Sequence, residues 1–168
     1  MTKQGLRMSP FEIERKFIVR ETPKNVETYP AVEILQGYLA VSDDGTEIRL
    51  RHIGQAYILT VKSGKGIRRH ESEIELSREQ FERLWPMTEG KRVEKKRYKI
   101  AKSGFTIELD IYRSTLEGLK TAEVEFKTQD EADSFTPPSW LDKDVTLDER
   151  YKNKNLALYG LPEDFEKT

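Results

Sequence analysis

The chain has 168 residues, enough for one domain of ordinary size that buries roughly 70% of its unfolded surface. Its 29 Lys and Arg nearly cancel its 30 Asp and Glu, and a formal net charge of -1 excludes a net basic nucleic-acid binder. Cysteine is absent, which removes disulfides, thiol nucleophiles, thiolate zinc sites and iron–sulfur clusters; a metal must sit on oxygen ligands or on His52 and His70. The elements are then read from periodicity. Phe11 to Val19 alternates Phe11, Ile13, Arg15 and Phe17 with Glu12, Glu14 and Lys16, a strand with one charged face. Pro23 to Tyr29 has room for one helical turn. The two-residue period returns in Ile34 to Ala40, Glu47 to Arg51, Tyr57 to Lys62 and Arg69 to Leu76. Ser77, three residues before Gln80, starts a helix by a capping box, and Phe81, Leu84 and Trp85 form its apolar stripe until Pro86. Strands follow at Val93 to Ile100, Phe105 to Ile111 and Thr121 to Lys127, then short helices at Asp130 to Phe135 and Lys152 to Tyr159. Asp43-Asp44-Gly45, Ser63-Gly64-Lys65-Gly66 and Ser103-Gly104 are short enough for hairpins, so the sheet is expected to be mainly antiparallel. The expected class is mainly β within α+β: eight antiparallel strands with a few short flanking helices, one domain over residues 1–168 with its core at about 9–160.

A half-exposed antiparallel sheet also alternates apolar and polar residues, so no single strand here is unusual. The sorting of charge by strand is. The same-parity positions carry Glu12, Glu14, Lys16; Arg49, Arg51; Lys62; Arg69, Glu73, Glu75; Lys95, Arg97; Glu108, Asp110; and Glu123, Glu125. Carboxylates two residues apart on one strand face lie roughly 7 Å apart and repel unless a cation sits between or opposite them. If the sheet closes with this parity inward, it makes a barrel whose interior carries both signs of charge. Such an interior must be wet or hold ions, because an uncompensated buried charge costs several kcal/mol. Acidic pairs suit a hard divalent cation, and Arg and Lys suit a polyanion such as phosphate. His52 and His70 lie on the opposite parity and are expected on the outer face. The loop Ser63-Gly64-Lys65-Gly66 lacks the strand-to-helix setting of a P-loop and reads as a hairpin.

The run Glu12-Ile13-Glu14-Arg15-Lys16 resembles the ExExK signature of the CYTH superfamily, the triphosphate tunnel metalloenzymes. The likeness extends through Gln36-Gly37-Tyr38-Leu39, Glu47 to Arg51, Thr60 to Gly64, Arg69 with Glu73 to Glu75, Glu94 to Tyr98, Glu108 to Asp110, Ala122 to Phe126 and Asp148 to Asn153. The short length, the EIERKF start and the QGYL segment look most like the bacterial inorganic triphosphatase branch. The resemblance implies an eight-stranded antiparallel tunnel and hydrolysis of inorganic tripolyphosphate to pyrophosphate and phosphate with Mg²⁺ or Mn²⁺. It implies phosphate binding by Lys16, Arg49, Arg51, Lys62, Arg69, Lys95 and Arg97, with Arg150 reaching the tunnel mouth or capping the surface. It implies metal binding by Glu12, Glu14, Glu73, Glu75, Glu123 and Glu125, with Glu108 and Asp110 either ligands or orienters of the basic residues. Glu12, Glu14, Lys16, Glu73 and Glu75 are the expected catalytic group. Thiamine triphosphate hydrolysis, class IV adenylyl cyclase chemistry and a non-catalytic polyphosphate- or nucleotide-binding module are the alternatives, one scaffold hosting several reactions. The expected partner is a small-molecule triphosphate, without nucleic acid or membrane, and a homodimer is left open. No run approaches the ~20 apolar residues of a membrane span and the start MTKQGLRMSP lacks a signal-peptide core, so a cytoplasmic location is expected.

Overall fold

The computed structural model of the chain describes residues 13–64 and 70–166. Glu12, Arg69 and the Lys65-Gly66 part of one expected hairpin lie outside the described residues. The strands are β1 (Ile13–Val19), β2 (Ala31–Val41), β3 (Glu47–Ile53), β4 (Ala56–Ser63), β5 (His70–Leu76), β6 (Arg92–Lys102), β7 (Phe105–Tyr112), β8 (Lys120–Phe126) and β9 (Leu141–Asp144). The helices are α1 (Arg78–Leu84), α2 (Gln129–Ser134) and α3 (Asn153–Tyr159). All pairings are antiparallel, in the order β5-β4-β3-β2-β6-β7-β8-β1-β9.

Two expectations are corrected. The sheet has nine strands rather than eight, and β5 and β9 are its two edges, with no pairing between them among the described residues. Ladder hydrogen bonds therefore do not close the expected barrel. The sheet is nonetheless strongly curled. Five strands separate β4 from β1 in the order, yet Lys62 of β4 and Glu14 and Lys16 of β1 line one cavity of about 240 Å³. A flat sheet, with strands about 4.8 Å apart, cannot bring them together. Extra twist enters where one strand carries an extra residue: in β2 between Tyr38 and Ala40, and in β9 between Leu141 and Asp144, opposite Val19 and Phe17 of β1.

Local chemistry explains the element ends. Ser77 Oγ accepts from Gln80 N at 3.1 Å while Gln80 Oε1 accepts from Ser77 N at 2.8 Å, the expected capping box of α1. The Ser103-Gly104 turn joins β6 to β7 with φ of 51° and 82°, and two left-handed residues match the natural twist of a two-residue hairpin. The 23–29 segment forms a single 3-10 turn at Val26–Thr28.

On the outer face, Phe17, Ile107, Leu109, Val124 and Phe126 pack under Ala132 of α2 and Phe135. Nearby on that face, His52 stacks on Tyr57 at 4.3 Å, and Phe81 of α1 covers both rings. His52 is thus an outer-face packing residue, as its parity indicates. The inner face is not uniformly charged. At one end Ile18, Tyr38, Val93, Tyr112, Leu116 and Leu119 meet Val145, Tyr151, Leu156 and Ala157, so the chain after β9 plugs that end with an apolar cluster. No helix of the described residues is long and apolar enough to cross a membrane.

Candidate active site

The register of the sheet sorts the inward charges into two halves of different character. In β6, β7, β8 and β1 every cation meets an acid. Arg97 lies directly opposite Asp110, Lys16 opposite Glu123, and Glu108 opposite Glu123. Asp110, 0% exposed, accepts from Lys95 Nζ at 2.6 Å and from Arg97 Nε and Nη2 at 2.6 and 2.7 Å. Arg97 also pairs with Glu108 and reaches Glu123 at 3.3 Å, while Lys16 Nζ lies 3.0 Å from Glu123. Burial alone would raise the Asp110 carboxyl, but Lys95 and Arg97 outweigh it and hold the pKa down at about 2. Complete burial, with Arg97 adding to it, pulls Lys95 down to about 8 against the opposing pull of Asp110. Tyr112, beneath Lys95, is pushed up to about 12 by burial.

In the half built from β2 to β5 the acids among the described residues do not pair with the two arginines. Its inward residues form cross-strand rows: Tyr38, Arg49, Thr60 and Glu73; Gln36, Arg51, Ile58 and Glu75; Glu47, Lys62 and Glu71. Lys62 has Glu71 at 3.3 Å. The two arginines find only neutral partners. Arg49 Nη2 donates to Thr60 Oγ1 at 3.3 Å, and Arg51 Nε donates to Gln36 Oε1 at 3.0 Å. Arg49 Nε is buried with no hydrogen-bond partner. Arg51 is lowered to about 10 by burial and by the repulsion of Arg49 and Arg97. Among the described residues neither guanidinium has an ion pair.

On the same inner face lies the 240 Å³ cavity, walled by Glu14, Lys16, Tyr38, Glu47 and Lys62 of the sheet and by Thr146, Asp148, Tyr151, Lys152 and Lys154 of the C-terminal segment. Arg49 does not line it but lies directly opposite Tyr38, which does, and Arg51 sits two residues further along β3. Lys154 reaches back to the buried Glu47 at 3.1 Å. The structure brings Glu14, Lys16, Lys62, Arg49, Arg51, Lys95, Arg97, Glu108, Asp110 and Glu123 onto one curled face. Glu73, Glu75 and Glu125 share its parity and, like Glu14, are exposed; Glu73 touches the face through Thr60 at 3.3 Å. Arg150 is placed elsewhere. Its guanidinium is held by Asp148 at 2.7 Å and Asp164 at 2.7 Å, and it is not among the residues lining the cavity. Lys152 and Lys154 line it instead.

A hard cation suits one end of this face. Glu14 lies directly opposite Glu125, and Glu108 opposite Glu123, two like-charged cross-strand pairs, the second already bridged by Arg97. Oxygen donors of this kind match Mg²⁺ or Mn²⁺. Among the described residues, however, no three acidic or histidine side chains gather to hold a metal ion, since Glu108 and Glu123 are turned toward Arg97 and Lys16.

Comparison with known proteins agrees with this geometry. The family model of the CYTH domain matches residues 10–136. An inorganic triphosphatase of Nitrosomonas europaea is 48% identical over 148 residues, 88% of this chain and 97% of that protein. An inorganic triphosphatase of Acetivibrio thermocellus is 39% identical over 149 residues, 87% of this chain and 92% of that protein. A crystal structure of an inorganic triphosphatase superposes with a TM-score of 0.75 at 46% identity, covering 88% of this chain and 95% of that one. With the family match spanning most of the sheet and the charged face lying within it, the chain belongs to the CYTH domain family.

Proposed function

We propose that this chain hydrolyses inorganic triphosphate in the charged cavity, with a divalent cation as cofactor, releasing pyrophosphate and phosphate. The observation that carries the reading is the pair Arg49, buried, and Arg51, half-buried, two guanidiniums without an ion pair among the described residues, one with an orphaned Nε. Buried, unpaired cations cost stability, and a polyphosphate is the anion whose oxygens match two adjacent guanidinium forks. The names of the two relatives agree with it.

In this reading Arg49, Arg51 and Lys62 bind and neutralise the triphosphate. Lys16, Lys95 and Arg97 form a fixed positive wall, because Asp110 and Glu123 hold them in place before substrate arrives. Donors set in advance need no reorganisation as charge builds on the departing pyrophosphate. Water adds to the terminal phosphorus, the bond to the bridging oxygen breaks, and Glu14, at the cavity wall, takes the water proton. Glu14 and Glu125, directly opposite each other, would hold a divalent cation, which would supply Lewis-acid neutralisation of phosphate oxygens.

The test is a substrate panel of tripolyphosphate, thiamine triphosphate and ATP, each with Mg²⁺ or Mn²⁺ and each with excess chelator, scored for phosphate and for cyclic AMP. Phosphate release from tripolyphosphate, lost in chelator, is expected. Arg51→Ala is expected to raise KM at least tenfold without rescue by added metal. Cyclic AMP as the main product, or turnover undiminished by chelator, overturns the reading.

A further inference from the structure

We infer that Tyr151 is a specificity-determining residue: its ring is the wall that makes the charged cavity a dead end, restricting it to triphosphates without an organic substituent. The inference deepens the function proposed above and rests on it. Tyr151 is 4% exposed and lines two spaces. One is the 240 Å³ charged cavity. The other is a groove of about 260 Å³ lined by Val19, Arg20, Gly118, Asp142, Phe165 and neighbours. Among the described residues, Tyr151 is the one lining residue shared by the two.

The wall is held firmly. Tyr151 closes the 3-10 turn Glu149–Tyr151, which Asp148 caps by accepting from Arg150 N at 3.2 Å. Arg150 clamps the turn to the C-terminal tail through Asp164 at 2.7 Å. The ring belongs to the inner apolar cluster with Ile18, Leu116, Leu119, Val145 and Leu156, whose packing holds it between the two spaces. Arg150 is therefore a positioning residue for the wall, and this accounts for an arginine near the site that does not line it.

Size and charge both follow. The cavity is smaller than the 300–1,000 Å³ usual for pockets that take drug-sized molecules, so a phosphate chain fits and an attached nucleoside does not. An inorganic triphosphate is anionic at both ends, and the lysines on the segment that carries the wall, Lys152 and Lys154, face the cavity where a second terminal phosphate gains from them. A nucleoside triphosphate is esterified at one end, forfeits that contact and meets the ring. The wall also lies beyond residue 136, where the family match ends.

The experiment compares kcat/KM for tripolyphosphate and ATP, both with Mg²⁺, in the parent, Tyr151→Ala and Tyr151→Phe. Removing the ring joins the two spaces, and the preference for tripolyphosphate is expected to narrow at least tenfold, chiefly through a gain on ATP. Tyr151→Phe keeps the wall and is expected to keep the parent ratio. Circular dichroism checks the fold, and if Tyr151→Ala does not fold, Tyr151→Leu serves as the smaller opening with the same direction of change. A folded Ala or Leu variant with the parent's ratio overturns the inference, as does a parent that uses ATP and tripolyphosphate equally well. A parent that hydrolyses neither overturns the proposed function instead, so the two failures are distinguishable.

Discussion

Asp110 is the residue on which the neutralised half of the face turns. It holds two cations at once, and all three side chains are largely or wholly removed from water. Asp110→Asn keeps the shape but leaves Arg97 and Lys95 without their main counter-charge, which costs about 3–5 kcal/mol when a buried pair is broken. Lys95 then loses the carboxylate that raises its pKa and gives up its proton below about pH 8. The parent has a matching acid limb. With the Asp110 carboxyl lowered from 3.8 to about 2, the unfolded state binds the proton first. The stabilisation, on the order of 2 kcal/mol, is therefore complete above pH 4 and is lost as pH falls through 2. Urea unfolding at pH 7 and at pH 2–4 is expected to show the parent losing this increment in acid and the Asn variant lacking it throughout. Much of this network was legible in the charge parity, which placed Lys95, Arg97, Glu108, Asp110 and Glu123 on one face. Parity also contained Glu47, two residues before Arg49 on the same face, but a carboxylate at a strand start carries no special mark. Tyr38 has no charge to be sorted, and Lys152 and Lys154 enter the cavity from a segment outside the sheet's alternation.

Among the elements, β2 is approached closely by the 3-10 turn Trp85–Thr88 that follows α1. A Cβ on Gly37 would lie 2.6 Å from Thr88 Cβ and Oγ1, and Thr88 is buried and fixed by accepting from Arg92 Nε at 2.9 Å and donating to the Trp85 carbonyl at 2.7 Å. Gly37→Ala is expected to cost about 1–3 kcal/mol as overpacking, each kcal/mol lowering Tm by about 2–4 °C. Combining it with Thr88→Ala should recover part of the loss in a thermal melt, and no recovery would place the strain elsewhere. Seven of the strands were readable along their described length, because the two-residue period survives wherever one face is apolar. The edge strand β5 kept its period too, although both its faces are largely exposed. β9 escaped notice for a physical reason. It is four residues long, LDKD, with three of them exposed, and it is a strand because it borrows the free edge of β1. That ninth strand also explains how the chain after it enters the sheet's concave side, with Val145 N donating to Lys16 O at 2.8 Å.

At the scale of the molecule, most neighbouring strands are also neighbours in the chain, and the β2–β6, β1–β8 and β1–β9 pairs are the long-range ones. β2 to β5 form successive neighbours, as do β6 to β8, and the Ser103-Gly104 hairpin is about as local as a contact can be. β1 waits longest: Ile13 pairs with Phe126 and Ile18 with Thr121, and β9 can attach only after β1 is seated. At about 5–20 residues per second of translation, the first strand made waits several seconds for its partner. During that wait Glu14 and Lys16 face solvent, and the alternation of charge that later lines a cavity keeps an unpaired strand soluble. Long-range closure of this kind falls late on the folding path. Phe17→Leu is accordingly expected to speed unfolding and leave the refolding rate nearly unchanged, whereas Ile107→Val, in the local β6–β7 hairpin, is expected to slow refolding. Stopped-flow chevrons read both, and a slowed refolding limb for Phe17→Leu would mean that the first strand is recruited early after all.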